Sequence, residues 1–588
     1  MSKFSRREFV YMMAILGAAP VFANSHTRMV ETTKKIEDYY KLKPFGNARF
    51  IHMTDSHAQL LPVYFREPSV NLGFYGNLGK PPHIVGEKFL DYYGIKGNKR
   101  LEYAFSCVNF EEHAKVMGKT GGFAQIKTVV DFLRDSFGKD KTLFLDGGDT
   151  WQGSATALWT RGKDMVGALN LLGADICVGH WEFTYKAEEV LENIKALNAE
   201  FLAQNIFVKE DSMMNGVEAY DEDSGHAFKP YTIKTLGKAR VAIIGQAFPY
   251  TTIANPQRFI PDWTFGINEN SMQELVDKIK DEEKPDAIIV LSHNGFDTDK
   301  KMAEVCTGID FIIGGHTHDG VPEAYPVKNS SGTTYVCNAG SNGKFLNVLD
   351  LDIQNGKIKD FKFTLLPIFS DLIPENKEMK KYIEDVRLPY LKELTRPIAT
   401  TEETLFRRGN FNGSWDQIIC DALIDVKGAQ ISLSPGFRWG TSVMPNQTIT
   451  FDDLMTQTAM TYPETYARDI KGSEIKLILE DVADNLFNED PFLQQGGDMV
   501  RTGGISYKID PKAKIGERIT NIVLSKTGEK LDANKSYKVA GWSTVGAQSE
   551  GEPIWETVET YLKNMKHISK IKIDTPDIVG VKGNPGII

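Results

Sequence analysis

The chain of 588 residues carries a formal net charge of −10 and has a composition typical of globular proteins, with 41% apolar and 25% charged residues. This length exceeds what one hydrophobic core supports, so we expect two or more domains. The acidic balance argues against a broad nucleic-acid surface, which needs a basic face. The five cysteines lie far apart, with no CxxC spacing. We therefore expect them to be mostly reduced and buried, not a disulfide framework.

The first 23 residues have the pattern of an export signal. Residues 5–10 (SRREFV) match the twin-arginine motif. The apolar run that follows is shorter than the ~20 residues of a membrane span, and residues 21–23 (VFA) offer a cleavage site. A buried N-terminal helix is the alternative, but it leaves the arginine pair unexplained. We therefore predict a signal peptide over residues 1–23, a periplasmic location and no stable membrane insertion.

The remainder divides into two predicted domains and a connector. Over residues 46–368, apolar strands alternate with helical stretches, which implies parallel strands with helices packed outside them. Residues 369–396 are charged and helical in pattern and form the connector. Residues 397–588 mix strand-like and helical segments and form the second domain. The clearest helical stretches of the first domain are residues 122–137, 186–198 and 271–283.

A long segment, residues 62–119, interrupts the first domain. It is rich in Gly, Pro and aromatic residues and shows no clear periodicity. We expect an irregular insertion, and such a segment after a site-bearing strand is more often functional than idle. A solvated surface loop is the alternative.

Five apolar runs of the first domain each end in residues that can bind a metal ion. Since sites form at the carboxyl ends of strands in open α/β sheets, we expect these side chains to converge. Single histidines are often capped core residues, but this does not account for five of the chain's 11 histidines at strand ends. The predicted ligands are Asp55, His57, Asp149, His180, His293, His316 and His318.

The type and number of these ligands indicate two metal ions. Seven nitrogen and oxygen ligands are too many for one tetrahedral zinc ion. They fit two ions that share a bridging carboxylate, for which Asp149 is the best candidate. Imidazole and carboxylate ligands suit manganese, zinc or iron. Two divalent ions outweigh the charge of two aspartates, so we expect the substrate group to be phosphoryl or sulfonyl.

The strand-end motifs resemble those of the dinuclear metallophosphoesterases: D-x-H, G-G-D-T, S-H-x-G and G-G-H-T-H. With its C-terminal domain, the chain is similar to the exported 5′-nucleotidases over nearly its whole mature length. The resemblance implies an α/β (α+β) fold, with an N-terminal β-sandwich flanked by helices and a C-terminal α/β domain. It also implies one metal held by Asp55, His57, Asp149 and His318, and another held by Asp149, His180, His293 and His316.

One motif departs from the nucleotidase pattern. Where the family has Gly-Asn-His-Glu-Phe-Asp, residues 179–184 read GHWEFT. His180 replaces a metal-binding Asn, Trp181 the catalytic His, and Thr184 the Asp that orients it. An alkoxide leaves poorly because the pKa of its conjugate acid is near that of water, ~15.7, whereas a thiol has a pKa of ~8.5. An enzyme that cleaves a bond to sulfur could dispense with the acid, and we expect Trp181 to line a narrow channel.

The departure resembles one branch of the family, the SoxB-type thiosulfohydrolases of periplasmic thiosulfate oxidation. Residues 57–62 (HAQLLP), 64–68 (YFREP) and 179–183 (GHWEF) carry this resemblance. It implies two Mn²⁺ ions, and a partner of SoxYZ type: a sulfur-carrier protein with a cysteine on a flexible C-terminal arm. It implies that a hydroxide bridging the two metals attacks a cysteine S-thiosulfonate and releases sulfate.

Candidate substrate contacts lie in the second domain. Residues 435–438 (PGFR) stand where the nucleotidases have a substrate-contacting Gly-Gly-Gly-Ile-Arg turn. Arg438 is the best candidate to bind a sulfonate, since its guanidinium fork suits such oxygens. Asp498 and Arg501 are weaker candidates, and a structural ion pair is the equal alternative for them.

A periplasmic metal-dependent 5′-nucleotidase or phosphodiesterase is the main alternative function. Trp181 and Thr184 argue against it, and the sequence has no clear counterpart of the paired aromatics that stack a nucleobase. Trp439 and Tyr462 are present, with core packing as the default for both, although Tyr462 is kept as a candidate substrate contact. A metal-bound adhesin without turnover is a further alternative, against which the complete ligand set argues.

Overall fold

The computed structural model of this protein describes residues 40–73, 75–407, 409–546 and 548–581. The predicted signal peptide, residues 1–23, lies outside the described residues. Within the described ranges no helix is both long and apolar enough to span a bilayer. All five cysteines are free, and all except Cys107 are buried.

Apolar segments of the first domain form two mixed sheets. One six-stranded sheet runs in the order β14-β13-β1-β2-β3-β4, and a second runs in the order β11-β12-β10-β9-β7-β6, while β5 pairs with β8. The strands are β1 (Ala48–Met53), β2 (Thr142–Asp146), β3 (Ile176–Cys177), β4 (Glu200–Phe201), β5 (Ile206–Val208), β6 (Tyr231–Leu236), β7 (Ala239–Gln246), β8 (Trp263–Phe265), β9 (Ala287–Ser292), β10 (Phe311–Gly314), β11 (Tyr325–Asn329), β12 (Gly332–Asn338), β13 (Phe345–Gln354) and β14 (Lys357–Pro367).

Helices flank this pair of sheets. The stretches predicted to be helical correspond to α4, α7 and α10, and a π-helical turn extends α10. The helices of the first domain are α1 (Gly86–Tyr93), α2 (Lys99–Phe105), α3 (Phe110–Met117), α4 (Phe123–Phe137), α5 (Ala155–Thr160), α6 (Lys163–Leu172), α7 (Ala187–Ala196), α8 (Glu210–Met214), α9 (Thr251–Ala254), α10 (Glu269–Lys278) and α11 (Phe296–Val305).

Side-chain alternation lets the second sheet serve two hydrophobic layers. In β7, Ile243 belongs to the core that both sheets share. Its neighbour Ile244 faces the other way, into a layer that contains Met272 of α10 and Met302 of α11. This arrangement confirms the predicted β-sandwich flanked by helices.

The 62–119 segment is more regular than its sequence predicts. It contains α1, α2 and α3, each of seven or eight residues, which is too short for a helical period to be recognised beside so many Gly and Pro residues. The segment also reaches the second domain. There Ser442 donates its N–H to Tyr64 O at 2.7 Å, and Leu72 donates its N–H to Asn410 Oδ1 at 2.7 Å.

A helical connector leads into a second α/β domain. The connector helix α12 (Lys377–Arg387) buries Met379 and Ile383 in the first-domain core, and α13 (Leu391–Leu394) follows it. The later elements are β15 (Pro397–Thr401), α14 (Ser414–Lys427), β16 (Ile431–Ser434), β17 (Thr448–Thr450), α15 (Phe451–Thr458), β18 (Thr465–Lys471), α16 (Gly472–Phe487), β19 (Arg501–Gly503), β20 (Ile505–Ile509), β21 (Ile519–Leu524), β22 (Ser536–Trp542), α17 (Ile554–Met565), β23 (His567–Ile568) and β24 (Asp577–Ile578).

Mixed pairing in the second domain completes the predicted fold class. One sheet has the order β18-β22-β16-β19, and shorter sheets have the orders β17-β15-β23 and β21-β20-β24. Helices pack against these sheets, so the domain is α/β as predicted.

A buried ion pair inside the first sheet gives a test of the fold. Arg49 of β1 binds Asp350 of β13 through two hydrogen bonds, Nε–Oδ1 at 2.6 Å and Nη2–Oδ2 at 2.7 Å. We expect Arg49→Ala to lower the free energy of unfolding by about 3–5 kcal/mol, because it leaves a carboxylate buried and unpaired. Urea denaturation followed by circular dichroism measures this loss. Arg100→Ala, which breaks the more exposed pair with Asp371, is the control. It should lower the free energy of unfolding by about 1 kcal/mol or less. Equal losses of stability in the two variants would contradict a buried Arg49–Asp350 ion pair.

Candidate metal centre

The predicted ligands follow strands that end at one edge of the sandwich. Parallel pairing joins β1 to β2, β2 to β3 and β9 to β10, so the turns after these strands meet. Five of the seven ligands have left-handed backbone angles, which are uncommon outside Gly and Asn and persist only where the surrounding structure enforces them. They are Asp55 (φ 52°), His57 (φ 45°), Asp149 (φ 58°), His316 (φ 71°) and His318 (φ 60°).

The seven side chains form two groups of four that share one member. Within each group the candidate ligand atoms lie within 4.8 Å of one another, and every residue is buried. The shared residue is Asp149. The cluster is compatible with a dinuclear metal site bridged by this carboxylate. The groups are Asp55, His57, Asp149 and His318, and Asp149, His180, His293 and His316, which are the two sets implied by the resemblance.

Asp149 lies at the centre of the cluster. Its Oδ2 is 3.1 Å from His293 Nε2 and 3.6 Å from His57 Nε2, while its Oδ1 is 3.3 Å from His180 Nδ1. The same His57 Nε2 lies 3.0 Å from His318 Nε2. Two imidazole nitrogens this close, both near a carboxylate, face a common point, as ligands of one cation do.

Burial and charge set protonation states that suit cation binding. Burial lowers the pKa of His57 to about 4 and holds the pKa of His316 well below its ordinary value, so both rings are neutral. Burial tends to raise the pKa of Asp149, but the facing His293 outweighs it and keeps that pKa well below its usual range. Burial likewise lowers the pKa of His293, yet Asp149 and Asp55 outweigh it and raise that pKa to about 10. Positive charge is thus favoured between the carboxylates.

Unpaired buried nitrogens also fit a bound cation. Among the described residues, neither ring nitrogen of His316 has a hydrogen-bond partner, and His180 Nε2 has none. An unpaired buried polar atom is costly, and a coordinated metal removes that cost. Unpaired imidazole nitrogens beside two carboxylates therefore fit two divalent ions, whose binding would replace the proton on His293.

Glu182 organises two of the ligand turns, and sequence reasoning missed it. Its buried carboxylate accepts the backbone N–H groups of His180 at 2.8 Å, Thr150 at 2.7 Å, Asp149 at 3.2 Å and Trp151 at 3.3 Å. It thereby fixes the turn after β2 against the turn after β3. The residue stood in the same motif as His180, but its partners belong to a different turn, which the motif does not show.

Further hydrogen bonds orient the ligands themselves. Trp181 donates its backbone N–H to Asp149 Oδ1 at 2.8 Å. His293 Nδ1 lies 2.5 Å from Gly147 O, which turns Nε2 of the same ring toward Asp149. Such outer partners fix the orientation and tautomer of metal-binding histidines.

A cavity of about 210 Å³ opens beside the cluster, between the two domains. The first domain contributes metal-cluster residues, Trp181 and Phe248 to its wall, and the second contributes residues 435–439. Trp181 meets Phe437 and Trp439 edge-on, with ring centroids 5.6 and 5.1 Å apart. Aromatic side chains of both domains therefore form the apolar wall that faces the charged cluster.

The second domain also touches a metal-cluster residue directly. A Cβ placed on Gly496, whose φ is 78°, would lie 2.3 Å from His316 Nε2, so only glycine fits there without a shift. Arg438 donates to His316 O at 3.4 Å, and Gln152 donates to Ala459 O at 2.8 Å across the same interface. The second domain thus closes over the cluster.

The candidate substrate contacts of the second domain differ in their placement. Arg438 lines the cavity, but its guanidinium already binds Asp498 at 3.0 Å and Gly497 O at 2.6 Å. Asp498 also binds Arg501 at 2.8 Å, and this second arginine is fully buried. Tyr462 is buried in the second-domain core and donates to a backbone carbonyl of the first domain. Arg501 and Tyr462 are not among the residues that line the cavity.

Comparisons with known proteins agree with this architecture. Residues 397–557 match the family model of the 5′-nucleotidase C-terminal domain. Bovine 5′-nucleotidase is 26% identical over 71% of this chain and 76% of its own, and the protein UshA of Yersinia enterocolitica is 23% identical over 75% and 84%. The structure of the sulfate thiohydrolase SoxB of Thermus thermophilus superposes with a TM-score of 0.84, 33% identity, and coverage of 92% of this chain and 98% of its own.

The fold and the buried cluster define a metallophosphoesterase-type hydrolase. A 5′-nucleotidase precursor from Thermus thermophilus, 21% identical, shares the fold with a TM-score of 0.70 over 91% of this chain and all of its own. Together with the 33% identity to the sulfate thiohydrolase structure and the matched C-terminal domain, this places the chain in the 5′-nucleotidase superfamily.

The shared position of Asp149 predicts an asymmetry among ligand variants. Since Asp149 belongs to both groups, we expect Asp149→Asn to lower the bound divalent metal to well below one ion per chain. His318→Ala removes a ligand of one group only and should retain about one ion. Inductively coupled plasma mass spectrometry after gel filtration gives the stoichiometry. Equal metal contents in the two variants would argue against Asp149 as the bridge.

Glu182 predicts a metal defect without loss of any ligand. We expect Glu182→Ala to weaken metal affinity about 10- to 100-fold, since it releases the two turns that carry Asp149 and His180. Competition with a fluorescent chelator measures the affinity. Glu188→Ala, at an exposed position of the nearby helix α7, is the matched control and should leave it unchanged. An unchanged affinity in Glu182→Ala would mean that the turns hold without this carboxylate.

Proposed function

We propose that this protein is a dimanganese thiosulfohydrolase. It releases sulfate from a cysteine S-thiosulfonate that a sulfur-carrier protein presents on a flexible C-terminal arm. We further propose that it acts in the periplasm after export by the twin-arginine route, for which residues 5–10 (SRREFV) are the support.

The observation that carries this proposal is the replacement of the helper acid by an apolar contact. Trp181 stands where the nucleotidases have their catalytic His, and its ring packs on Phe437 and Trp439. Thr184 stands where they have the orienting Asp, and its Oγ1 lies 2.7 Å from Thr461 Oγ1 of the second domain. Both positions therefore serve the domain interface and offer no proton to a leaving group.

A sulfur leaving group can depart without the proton donor that is missing here. A thiol has a pKa of ~8.5, so the anion leaves far more readily than an alkoxide, whose conjugate acid has a pKa near ~15.7. Attack by hydroxide on the terminal sulfonate sulfur forms an S–O bond and breaks the S–S bond. The electron pair departs with the carrier, which keeps a persulfide, and the product is sulfate.

The chain's own residues orient this reaction. Two divalent cations, once bound, supply an activated water and neutralise the sulfonate oxygens. Asp149 and Asp55 provide the negative charge that holds those cations. The aromatic wall lines the cavity, and its rings favour divalent sulfur, which packs well against aromatic side chains. Arg438 also lines the cavity, and its guanidinium would have to exchange part of its contact with Asp498 to bind a sulfonate oxygen.

The Thermus thermophilus sulfate thiohydrolase supports the proposed sulfur substrate, since its identity of 33% exceeds the 21% and 26% of the two 5′-nucleotidases named above. Manganese is proposed on the chemistry of the ligands: nitrogen and oxygen donors suit it, and no cysteine belongs to either four-residue group of the described residues.

A metal-dependent 5′-nucleotidase is the second candidate, supported by relatives such as the bovine enzyme. A nucleotidase needs a slot for a flat base. Here the rings of Phe437 and Trp439 stack on each other, with centroids 4.1 Å apart, which leaves no room for a base between them. These two rings therefore do not form such a slot.

Sulfate release and phosphatase activity in matched variants test the proposal. We expect manganese-loaded wild-type protein to release sulfate from a peptide that carries an S-thiosulfonated cysteine and to be much slower on adenosine monophosphate. Trp181→His combined with Thr184→Asp should raise phosphatase activity about tenfold or more, since general acid catalysis contributes typically ~10²–10⁴-fold, and should lower sulfate release. Ion chromatography and a phosphate assay measure the two products.

A control separates chemistry from packing in this test. Trp181→Phe keeps an aromatic ring at the interface without adding an acid, so it should not gain phosphatase activity. Nucleotide hydrolysis as fast as sulfate release in the wild-type protein would overturn the proposal in favour of the nucleotidase.

A further inference from the structure

A chain of alternating charges leads from the interior of the second domain to the wall of the cavity. Arg407 Nε donates to Asp416 Oδ1 at 2.8 Å, and the other oxygen of that carboxylate lies 3.3 Å from Arg501 Nε. Arg501 Nη2 donates in turn to Asp498 Oδ2 at 2.8 Å, and Arg438 Nε donates to Asp498 Oδ1 at 3.0 Å. Each aspartate is thus shared by two arginines, and we call these five residues the charge chain.

The charge chain is accessible at one end only. The side chains of its first three members have no exposed surface, and that of Asp498 is 4% exposed. The side chain of Arg438 is 13% exposed, and this residue lines the cavity beside the metal cluster. Three arginines and two aspartates leave one positive charge without a partner inside the chain, although buried charges are normally paired. An anion in the cavity can supply that partner at Arg438.

An anion at this position competes with Asp498 for the guanidinium of Arg438. Parting a buried carboxylate from its cation is costly, because the charge that remains has lost its partner. Arg501 reduces this cost, since it holds the second oxygen of the same carboxylate. Burial tends to lower the pKa of Arg501, but Asp416 and Asp498 outweigh it and raise that pKa, so its positive charge is always present.

We propose that Arg501, which does not line the cavity, is a positioning residue for oxyanion binding. It holds Asp498 while Arg438 exchanges part of its contact with that carboxylate for an oxygen of the substrate's terminal sulfonate. The identity of the anion rests on the proposed function, whereas the role of Arg501 requires only a tetrahedral oxyanion. Arg501 and Asp498 therefore act on anion affinity with opposite signs.

Binding of inorganic sulfate to the manganese-loaded protein tests these signs. We expect Arg501→Met to weaken sulfate binding about tenfold, because Asp498 then retains Arg438. Asp498→Asn should instead tighten it about threefold or more, since a neutral amide competes less well than a carboxylate for a guanidinium. Isothermal titration calorimetry gives the affinity. An unaltered Kd in Arg501→Met, or a Kd that does not fall in Asp498→Asn, would overturn the proposal.

Two combined variants distinguish this role from a general loss of structure. Arg501→Met with Asp498→Asn removes both the competing carboxylate and the cation that holds it, so sulfate affinity should return to within about threefold of the wild type. When Arg438→Met is already present, adding Arg501→Met should change the affinity by less than about twofold, because Arg501 acts through Arg438. A full tenfold loss caused by Arg501→Met in either background would overturn the proposal.

Arg518→Met is the matched control. Arg518 is buried and pairs with Asp484 of the same domain, and neither residue lines the cavity. Its substitution removes the same charge and leaves a carboxylate without its arginine, yet sulfate affinity should not change. Metal content should match the wild type in every variant. If Arg501→Met fails to fold, the sign of the change in Asp498→Asn decides: tighter binding supports the proposal, and equal or weaker binding overturns it.

Phosphate as a second probe separates this inference from the proposed function. The variants should change phosphate affinity with the same signs as sulfate affinity. If the signs hold for both anions and the thiosulfonated peptide releases no sulfate, the role of Arg501 stands while the sulfur assignment fails. If sulfate is released and the signs do not hold, the role of Arg501 fails while the proposed function stands.

Discussion

Two buried carboxylates, Asp55 and Asp149, impose the constraint on which the rest of this structure depends. Charges removed from water are tolerated only when opposite charge or hydrogen bonds surround them. Here five imidazoles surround them, and the pair draws positive charge to the centre so strongly that the pKa of His293 rises to about 10. The first domain supplies this environment by ending its parallel strands at one edge.

An outer layer holds these ligands in place, and much of it consists of backbone groups. Glu182 gathers four N–H groups from two turns, and the turns themselves adopt left-handed angles that an isolated chain would rarely populate. Such angles are stable here because hydrogen bonds between carboxylates and backbone N–H groups hold the turns in this conformation. The centre is therefore preorganised by contacts that are individually ordinary hydrogen bonds.

The second domain completes the site. Gly496 lets its backbone approach His316, and the stacked pair of Phe437 and Trp439 closes the wall that Trp181 begins. In this arrangement the position of a helper acid has become an interdomain packing contact. Under the proposed function, the same exchange removes a proton donor and places an aromatic ring on the cavity wall.

The sequence by itself predicted the fold class and the seven clustered side chains, because each of them closely follows a strand and motifs of that kind are local, whereas their division into two sets was implied by the family resemblance. Only the tertiary structure revealed the short helices of residues 62–119, the cradle around Glu182, and the placement of Arg501 and Tyr462 away from the cavity. It also showed that Trp439, packed in the core as expected, stacks on His57 beside the cluster. These features depend on contacts between turns and domains that are distant in the sequence. Those long-range contacts, and not the neighbouring residues in the chain, decide which partners a buried polar group has.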